Sequence, residues 1–505
     1  MGKPLAGALV AAGVIASWGF LVFETPQVVH VRVLAMTDFH GALESKVYPG
    51  SGDRALGGAA VLKAAMDSAE AQCDCPTLRV DAGDQMQGTL PSNLFFGATT
   101  VRALNVLGLD AAALGNHELD WTVDTLRQRI SEAEYPWLAA NVFDSLTGRR
   151  PEWARPYHIM EFSGLRVAFI GFMTSATKEI VFPPRVVGLS FGRGRAPIED
   201  VLEAVRAERP DLTILAAHAG MTCDGTECSG EIVSLARELD PDDVDLIVAG
   251  HSHNLGTTEV NGIPIIQTGA NGTALGIADL FRVEGGRWRA ELNIRRLYAD
   301  EVTPDASMLA VLDSYRSATD SVANRTVVTL RDAPIRRDGE NELTKIIADA
   351  LYEAAQPDLA FMGDGGIRAT LPAGPITYGM LYAVMPFGNE LMRLTMSGRN
   401  LRRFLEQALG RGQPSGLQIT YDPARGNGRR IVDARFADGR AIEDGGTYTL
   451  AVGAYMSEGG DGFTILRDQP REAVGIRSLD ALVAYLESAP QPFSAPRDRR
   501  VMLVN

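Results

Sequence analysis

Five short clusters in this chain hold residue types that grip metal ions. Thr37-Asp38-Phe39-His40-Gly41 places a carboxylate and an imidazole two residues apart. Residues two apart on a strand or strand end share a side, so Asp38 and His40 can hold one cation together. In Gly83-Asp84-Gln85-Met86-Gln87-Gly88 the glycines permit a tight turn that exposes Asp84. Its two carboxylate oxygens can bridge two cations at the short separation that two-metal hydrolysis needs. Gly115-Asn116-His117-Glu118-Leu119-Asp120 offers a neutral oxygen ligand in Asn116. His117 and Asp120 fall on one face if a helix starts there. The carboxylate can then orient the imidazole and stabilise its protonated form. His218 follows an apolar run, and a lone histidine of this kind is more often a satisfied core residue than a ligand. Gly250-His251-Ser252-His253 is stronger, because histidines two apart on extended chain can face neighbouring cations. The chain has seven histidines, five of them in these clusters, and His30 and His158 take no role.

The elements around these clusters form a pattern. Apolar runs at Val28–Met36, Leu78–Asp81, Leu165–Phe172, Leu212–Ala217, Leu246–Ala249 and Ile263–Ile266 read as strands. Amphipathic stretches between them, Gly58–Ala71, Thr99–Leu107, Val123–Ala133, Ile198–Ala207 and Glu231–Leu239, read as helices. The alternation predicts α/β layers. Each reactive cluster follows the carboxyl end of a strand, where open α/β sheets place their ligands. One shared site is the expectation.

The pattern changes in the second half. Pro304–Asn324 reads as a connecting helix. Beyond Thr326 a helix at Leu343–Ala354 is followed by Gly- and Pro-rich turns and short strands at Leu391–Thr395, Leu417–Tyr421, Ile431–Phe436 and Thr447–Gly453. The expected organisation is a segment 1–25 outside the fold, a catalytic domain over 28–302, a linker helix over 303–325 and a smaller mixed α/β domain over 326–505.

Bulk properties narrow the function. A chain of 505 residues with 46% hydrophobic and 22% charged content is globular and long enough for two domains. A formal net charge of -15 argues against gripping the backbone of a nucleic-acid polymer. It does not exclude small anions, since metals and a few arginines reverse the field locally. Lys3 precedes an apolar run from Pro4 to Phe23. The run is long enough to span a bilayer and lacks a clear cleavage site, so it reads as an uncleaved signal anchor, with a cleaved signal peptide as the alternative. Export to a periplasmic or extracellular face follows. Four cysteines suit disulfides in such a compartment. Cys223 and Cys228 are the better pair, while Cys73 and Cys75 would be strained if bridged to each other. Three connectivities are open, and a four-cysteine zinc site is the alternative.

Asp-x-His, Gly-Asp-x-x-x-Gly, Gly-Asn-His-Glu and Gly-His-x-His, in this order, resemble the signature of the calcineurin-like metallophosphoesterases. The form Gly-Asn-His-Glu-Leu-Asp resembles the 5'-nucleotidase family within that group. Gly365-Gly366-Ile367-Arg368, Pro386-Phe387-Gly388-Asn389 and Gly459-Gly460-Asp461-Gly462 resemble the substrate domain of the same family. The resemblance implies a four-layered αββα sandwich carrying two divalent cations (Zn, Mn, Fe or Co), plus the C-terminal domain that binds the nucleoside. It assigns Asp38, His40, Asp84 and His253 to one cation and Asp84, Asn116, His218 and His251 to the other. His117, supported by Asp120, would assist the transition state. Arg368 would hold phosphate, with Arg336 as a second positive contact. Phe387 and Tyr455 would stack the base, with Asn389 and Asp461 contacting base and ribose. The implied reaction is attack of a metal-bridging hydroxide on a small-molecule nucleotide. Nucleoside 5'-monophosphates come first, then di- and triphosphates, 2',3'-cyclic nucleotides and nucleotide sugars. No protein partner is expected.

Three departures stand out. Gly363-Asp364 occupies the place where the family usually carries Asn, which brings a negative charge near the phosphate arginine. Tyr455 replaces a common Phe, and His253 stands where some relatives carry Gln. Two other readings compete. Sulfur-oxidising relatives hydrolyse thiosulfonates, but the stacking aromatics argue against that. An inactive nucleotide-binding or surface protein should have gaps among the seven ligands, and this chain has none.

Overall fold

The computed structural model describes Gly2 and residues 28–504, except Pro49, Thr226, Glu284, Gly285 and Asp338. The signal or anchor expected over residues 1–25 therefore lies outside the described residues, Gly2 excepted. Among the described residues no helix is long and apolar enough to cross a membrane.

Two six-stranded sheets form the N-terminal unit. The first runs Arg289–Arg296, Ala274–Val283, Val28–Met36, Thr77–Asp81, Ala111–Ala113, Trp137–Leu138 in spatial order. The second runs Leu255–Val260, Ile263–Thr268, Leu246–Ala249, Leu212–His218, Leu165–Met173, Tyr157–Phe162. Central pairs are parallel, and antiparallel strands close both edges of the second sheet and one edge of the first, whose other edge strand, Trp137–Leu138, is parallel. Both faces of the central strands are largely buried, which is why they read as mostly apolar runs. Alternation sorts their side chains. Val31, Val33 and Ala35 meet Phe169, Ile214 and Val248 between the sheets. Leu34 and Met36 point the other way, onto Leu62, Met66 and Leu104 of the helices Ala59–Ala71 and Ala98–Leu107. On the far side Leu215 and Ala217 pack against the helices Glu199–Ala207 and Glu231–Glu238. The layers are thus helix, sheet, sheet, helix, the αββα sandwich that the resemblance implied.

A long helix, Ala306–Ala323, follows, with the Asp305 side chain capping it through the Met308 N–H. Met308 and Leu312 anchor this helix in the N-terminal core. The C-terminal unit is built on a five-stranded sheet ordered Gly412–Ser415, Leu359–Gly363, Thr447–Gly453, Glu390–Ser397, Arg471–Arg477. Helices Glu342–Ala355 and Ser478–Ser488 cover one face, and Gly398–Ala408 covers the other.

Both cysteine pairs are bridged, Cys73 to Cys75 and Cys223 to Cys228. The second pairing was expected and the first was not. The turn before Thr77 sets the Cα atoms of Cys73 and Cys75 5.1 Å apart, within the span a disulfide closes.

Candidate metal centre and substrate cleft

Strand ends deliver the site residues, but extended-chain alternation does not aim them. Asp38 and His40 lie past the end of Val28–Met36, and each has φ near +50°. His251 and His253 follow Leu246–Ala249 in the same left-handed region. Asp84 shares it at φ 58. Five of the twelve described non-glycine residues with positive φ are candidate metal ligands. Such conformations are sparsely populated and persist where the surrounding structure enforces them. Here tight turns crowd five polar side chains into one small volume.

Their donor atoms converge. Asp38, His40 and His253 form one group, Asp84, His218 and His251 a second, and His40, Asp84 and His117 a third that joins them. Within each group the ligand atoms lie within 4.8 Å of one another. The Asn116 Oδ1 is 3.1 Å from the His218 Nε2. The Asp84 Oδ2 lies 3.0 Å from the His218 Nε2 and 4.0 Å from those of His40 and His117, which suits a bridging carboxylate.

Backbone contacts set the donors' chemistry. The Nδ1 of His40 faces the Gln87 carbonyl at 2.8 Å, and the Nδ1 of His218 faces the Ala82 carbonyl at 2.9 Å. Both Nδ1 atoms donate, so both Nε2 atoms face the site, the nitrogen that a metal takes once its proton leaves. The Nε2 of His40 and His253 approach to 2.9 Å, with the Asp38 Oδ1 3.3 Å from the latter. Burial drives His40 down to about 4, so it is neutral. Burial also opposes the charged forms of His117 and His218. The Asp120 and Asp84 carboxylates outweigh it at His117, holding it at about 9, and Asp84 does so at His218, at about 10. That pull is the field of buried carboxylates, the field that divalent cations neutralise. Imidazole, carboxylate and amide oxygen together fit Zn, Mn, Fe or Co.

The 3-10 helix Asn116–Leu119 brings His117 and Asp120 into register, and the His117 Nδ1 donates to the Asp120 Oδ2 at 2.6 Å. The His117 backbone N–H donates to the Asp84 Oδ1 at 2.8 Å. Close approach explains Gly115. A Cβ there would lie 2.1 Å from the Asp84 Oδ1.

Glu118 carries a role that the sequence did not reveal. Its Oε2 accepts N–H bonds from Asp84 and Gly115, at 2.9 and 2.8 Å. Its Oε1 accepts from Gln85 and Met86, at 2.8 and 3.3 Å. One buried carboxylate thus ties the Asp84 turn to the Asn116 turn. Burial and the Asp84 charge push its carboxyl up to about 7, against the pull of those N–H groups. Charge and burial together were the available signal, since a buried Glu beside a ligand cluster needs partners.

A cleft of about 920 Å³ opens over the candidate metal ligands, between the two units. Asp84, Asn116, His117, His251 and His253 line its floor, while Asp38, His40 and His218 are buried at the centre. From the C-terminal unit come Arg368, Phe387, Asn389, Tyr455 and Asp461. The His117 and Phe387 rings lie 6.3 Å apart and nearly parallel. The Arg368 guanidinium sits 5.4 Å from the Phe387 ring centre. The Gln87 and Asn93 amides donate to the Pro386 carbonyl, holding the Phe387 turn against the catalytic unit. Tyr455 packs on Gly460, where any Cβ would strike its ring at 2.5 Å. Burial raises the Asp461 carboxyl, against Arg411 and Arg368. Arg336 is not among the residues lining the cleft. Its guanidinium pairs with Asp364 at 3.0 Å. Ile180, Phe182, Arg185 and Arg477 line the cleft although no motif marked them.

The fold and the site are those of a metal-dependent phosphoester hydrolase. Residues 319–468 match the model of the 5'-nucleotidase C-terminal domain. Residues 38–270 match that of the bacterial capsule synthesis protein PGA_cap. A 5'-nucleotidase of Vibrio cholerae serotype O1 is 27% identical over 92% of this chain and 92% of its own length. Endonuclease YhcR of Bacillus subtilis strain 168 is 28% identical over 96% of this chain, which spans 42% of that longer protein. The crystal structure of a 5'-nucleotidase precursor from Thermus thermophilus aligns with TM-score 0.78 at 25% identity, covering 94% of this chain and 99% of that one. Across nearly its whole length the chain is thus similar to two-domain 5'-nucleotidases, and its C-terminal part matches their C-terminal domain.

Proposed function

We propose that the protein hydrolyses phosphate from nucleotides, nucleoside 5'-monophosphates foremost, with two divalent cations at the Asp84-centred site. One observation carries this reading. Two units of the chain meet so that three linked ligand groups face Arg368, Phe387, Asn389, Tyr455 and Asp461 across one cleft. Asp38, His40, Asp84 and His253 would hold one cation, and Asp84, Asn116, His218 and His251 the other. Cations held there supply Lewis acidity and lower the pKa of water.

The chain's own residues do the rest. Phe387 and Tyr455 offer aromatic faces to a base with little preference among bases. Asn389 and Asp461 fix base and ribose by hydrogen bonds. The Arg368 guanidinium, with no ion pair among the described residues, is available to phosphate. His117 keeps its Nδ1 proton on Asp120 and presents Nε2 to the cleft, where its positive charge opposes the charge that develops on the phosphoryl oxygens. The Asp364 carboxylate forms no ion pair with Arg368 among the described residues. Its oxygens are taken by Asn341, Thr344 and Arg336. The negative charge read from Gly363-Asp364 is therefore paired with Arg336.

We also propose that the protein is exported, with residues 4–23 acting as signal or anchor. The two disulfides support this placement. The test of activity is phosphate release from a panel of mono-, di-, triphosphate, cyclic and sugar nucleotides. The protein is first stripped by a chelator, then reloaded with Zn or Mn. Release should vanish on stripping and return on reloading. No release from any nucleotide by the reloaded protein overturns the reading.

A further inference from the structure

A second group of atoms of metal-ligating type lies at the opposite end of the first sheet. His30, Cys73, Cys75 and Asp279 place one ligand atom each within 4.8 Å of the others. His30 is six residues before Met36, so about 20 Å of strand separates it from the strand end that carries Asp38. The proposed reaction uses none of these residues.

Strand pairing builds the group. His30 sits opposite Phe281, and Arg32 opposite Asp279, in the antiparallel register. The His30 ring stacks on Phe281, centre to centre 4.3 Å. Arg32 grips both oxygens of Asp279, at 2.8 and 2.9 Å. The His30 Nε2 lies 2.9 Å from the Asp279 Oδ1. With Nε2–H donated to that carboxylate, Nδ1 keeps its lone pair. The Cys73 sulfur lies 3.8 Å from the ring nitrogens. A carboxylate behind a histidine, locking its tautomer and raising its basicity, is the usual support of a metal-ligating imidazole. Both Asp279 oxygens are occupied by Arg32 and His30, so its role is support and not ligation.

We propose that reduction of the Cys73–Cys75 disulfide opens a metal site separate from the catalytic centre. In it Cys73 Sγ, Cys75 Sγ and His30 Nδ1 bind a thiophilic d10 cation, zinc or copper(I), with Asp279 orienting the imidazole. A dithiol reductant transfers two electrons and two protons to the bridge, giving two thiols and its own disulfide. Cation binding then releases both thiol protons as the sulfurs become thiolates. Two sulfurs and one imidazole suit such a cation, which selects soft ligands. The bridged form lacks thiolates and cannot bind it in this way.

Cobalt(II) tests the proposal on the full chain, because thiolate ligands give a near-ultraviolet sulfur-to-cobalt absorption band that the sulfur-free catalytic ligands cannot. The protein is titrated with Co(II) before and after reduction by a phosphine. The expected result is a band only after reduction, saturating at one equivalent beyond the catalytic ions. Cys75→Ser should abolish it, and His30→Gln should weaken Co(II) binding at least tenfold. A Cys223→Ser, Cys228→Ser double variant should keep it. Circular dichroism and phosphate release show that each variant is folded. No band in the reduced wild-type protein overturns the proposal. So does a band that survives Cys75→Ser and disappears in the Cys223, Cys228 double variant.

Discussion

Glu118→Gln tests how the site is held together. The wild-type carboxylate accepts four backbone N–H bonds from two turns, one carrying Asp84 and the other opening on Asn116. A glutamine has the same shape but only one acceptor oxygen. Its NH2 must face two N–H donors. The least costly orientation keeps the oxygen on Asp84 and Gly115 and turns the NH2 toward Gln85 and Met86. That forfeits one short bond and one long one, 2.8 and 3.3 Å in the wild type. A hydrogen bond to a charged acceptor contributes about 1.5–3 kcal/mol, and the long one less, so the loss is about 2–4 kcal/mol.

The loss can appear in two places. If the turns stay ordered without metal, it lowers the stability of the stripped protein. If they loosen, cation binding must reorder them, and affinity falls by about 30-fold to 1000-fold, since 1.36 kcal/mol is tenfold. Denaturant unfolding of the chelator-treated protein measures the first loss. Competitive Zn titration of the refolded protein measures the second. The two losses should together reach about 2–4 kcal/mol. A variant that loses under about 1 kcal/mol in both assays would show that the carboxylate does not hold the turns, and the positioning argument fails.

Two further changes probe separate features. His117→Ala should lower turnover by about 100-fold to 10,000-fold, in line with loss of a positioned acid or charge stabiliser. Metal content measured on the same sample should stay at the wild-type level, and its loss would make His117 a ligand. Asp245→Asn should stabilise the fold above neutral pH. Burial raises the Asp245 carboxyl to about 6, and its Oδ2 accepts the Thr213 N–H, which an amide oxygen can also do. A raised carboxyl stabilises the fold below the unfolded value near 3.8, and this contribution is lost as pH rises through about 6. The shift corresponds to about 3 kcal/mol for a shielded group, cut to about 1–2 by partial solvent contact. Thermal melts at pH 4.5 and 8 should show the variant gaining on the wild type only at the higher pH.

The sequence made the parallel core legible and the sheet edges obscure. Val33–Met36 and Leu246–Ala249 are apolar and buried on both faces, so these stretches read as unbroken runs. Arg289–Arg296 alternates charge with half-buried residues on an edge, and its composition is that of a surface segment. Leu359–Gly363 is a short buried strand that no alternation marks. At the site, residue types were legible but their aim was not. Asp38 with His40, and His251 with His253, converge through left-handed turns, and such turns have no periodicity to read. Glu118 was hidden because its partners are backbone N–H groups, which every residue has. The Cys73–Cys75 bridge depended on a turn geometry that spacing alone does not give.

Arg336 and Arg368 separate what a motif suggests from what a fold delivers. Both are arginines of the C-terminal unit that the family resemblance sends to phosphate. Arg336 belongs to a two-residue strand, is 64% exposed and pairs with Asp364 outside the residues that line the cleft. Arg368 follows a Gly-Gly turn and its guanidinium sits over Phe387, on the cleft wall. A charge-assisted pair with phosphate is worth about 1.5–3 kcal/mol, so Arg368→Ala should lower kcat/KM by about 10-fold to 150-fold. An exposed ion pair contributes at most about 1 kcal/mol, and that to stability. Arg336→Ala should leave kcat/KM within about threefold, the change of a distant surface charge. Steady-state kinetics on one nucleoside monophosphate settles the comparison. Equal losses in the two variants would mean that Arg336 leaves Asp364 when substrate binds. The Asp364 pair would then be a resting partner that phosphate displaces, and Asp364→Asn should tighten KM in the same assay.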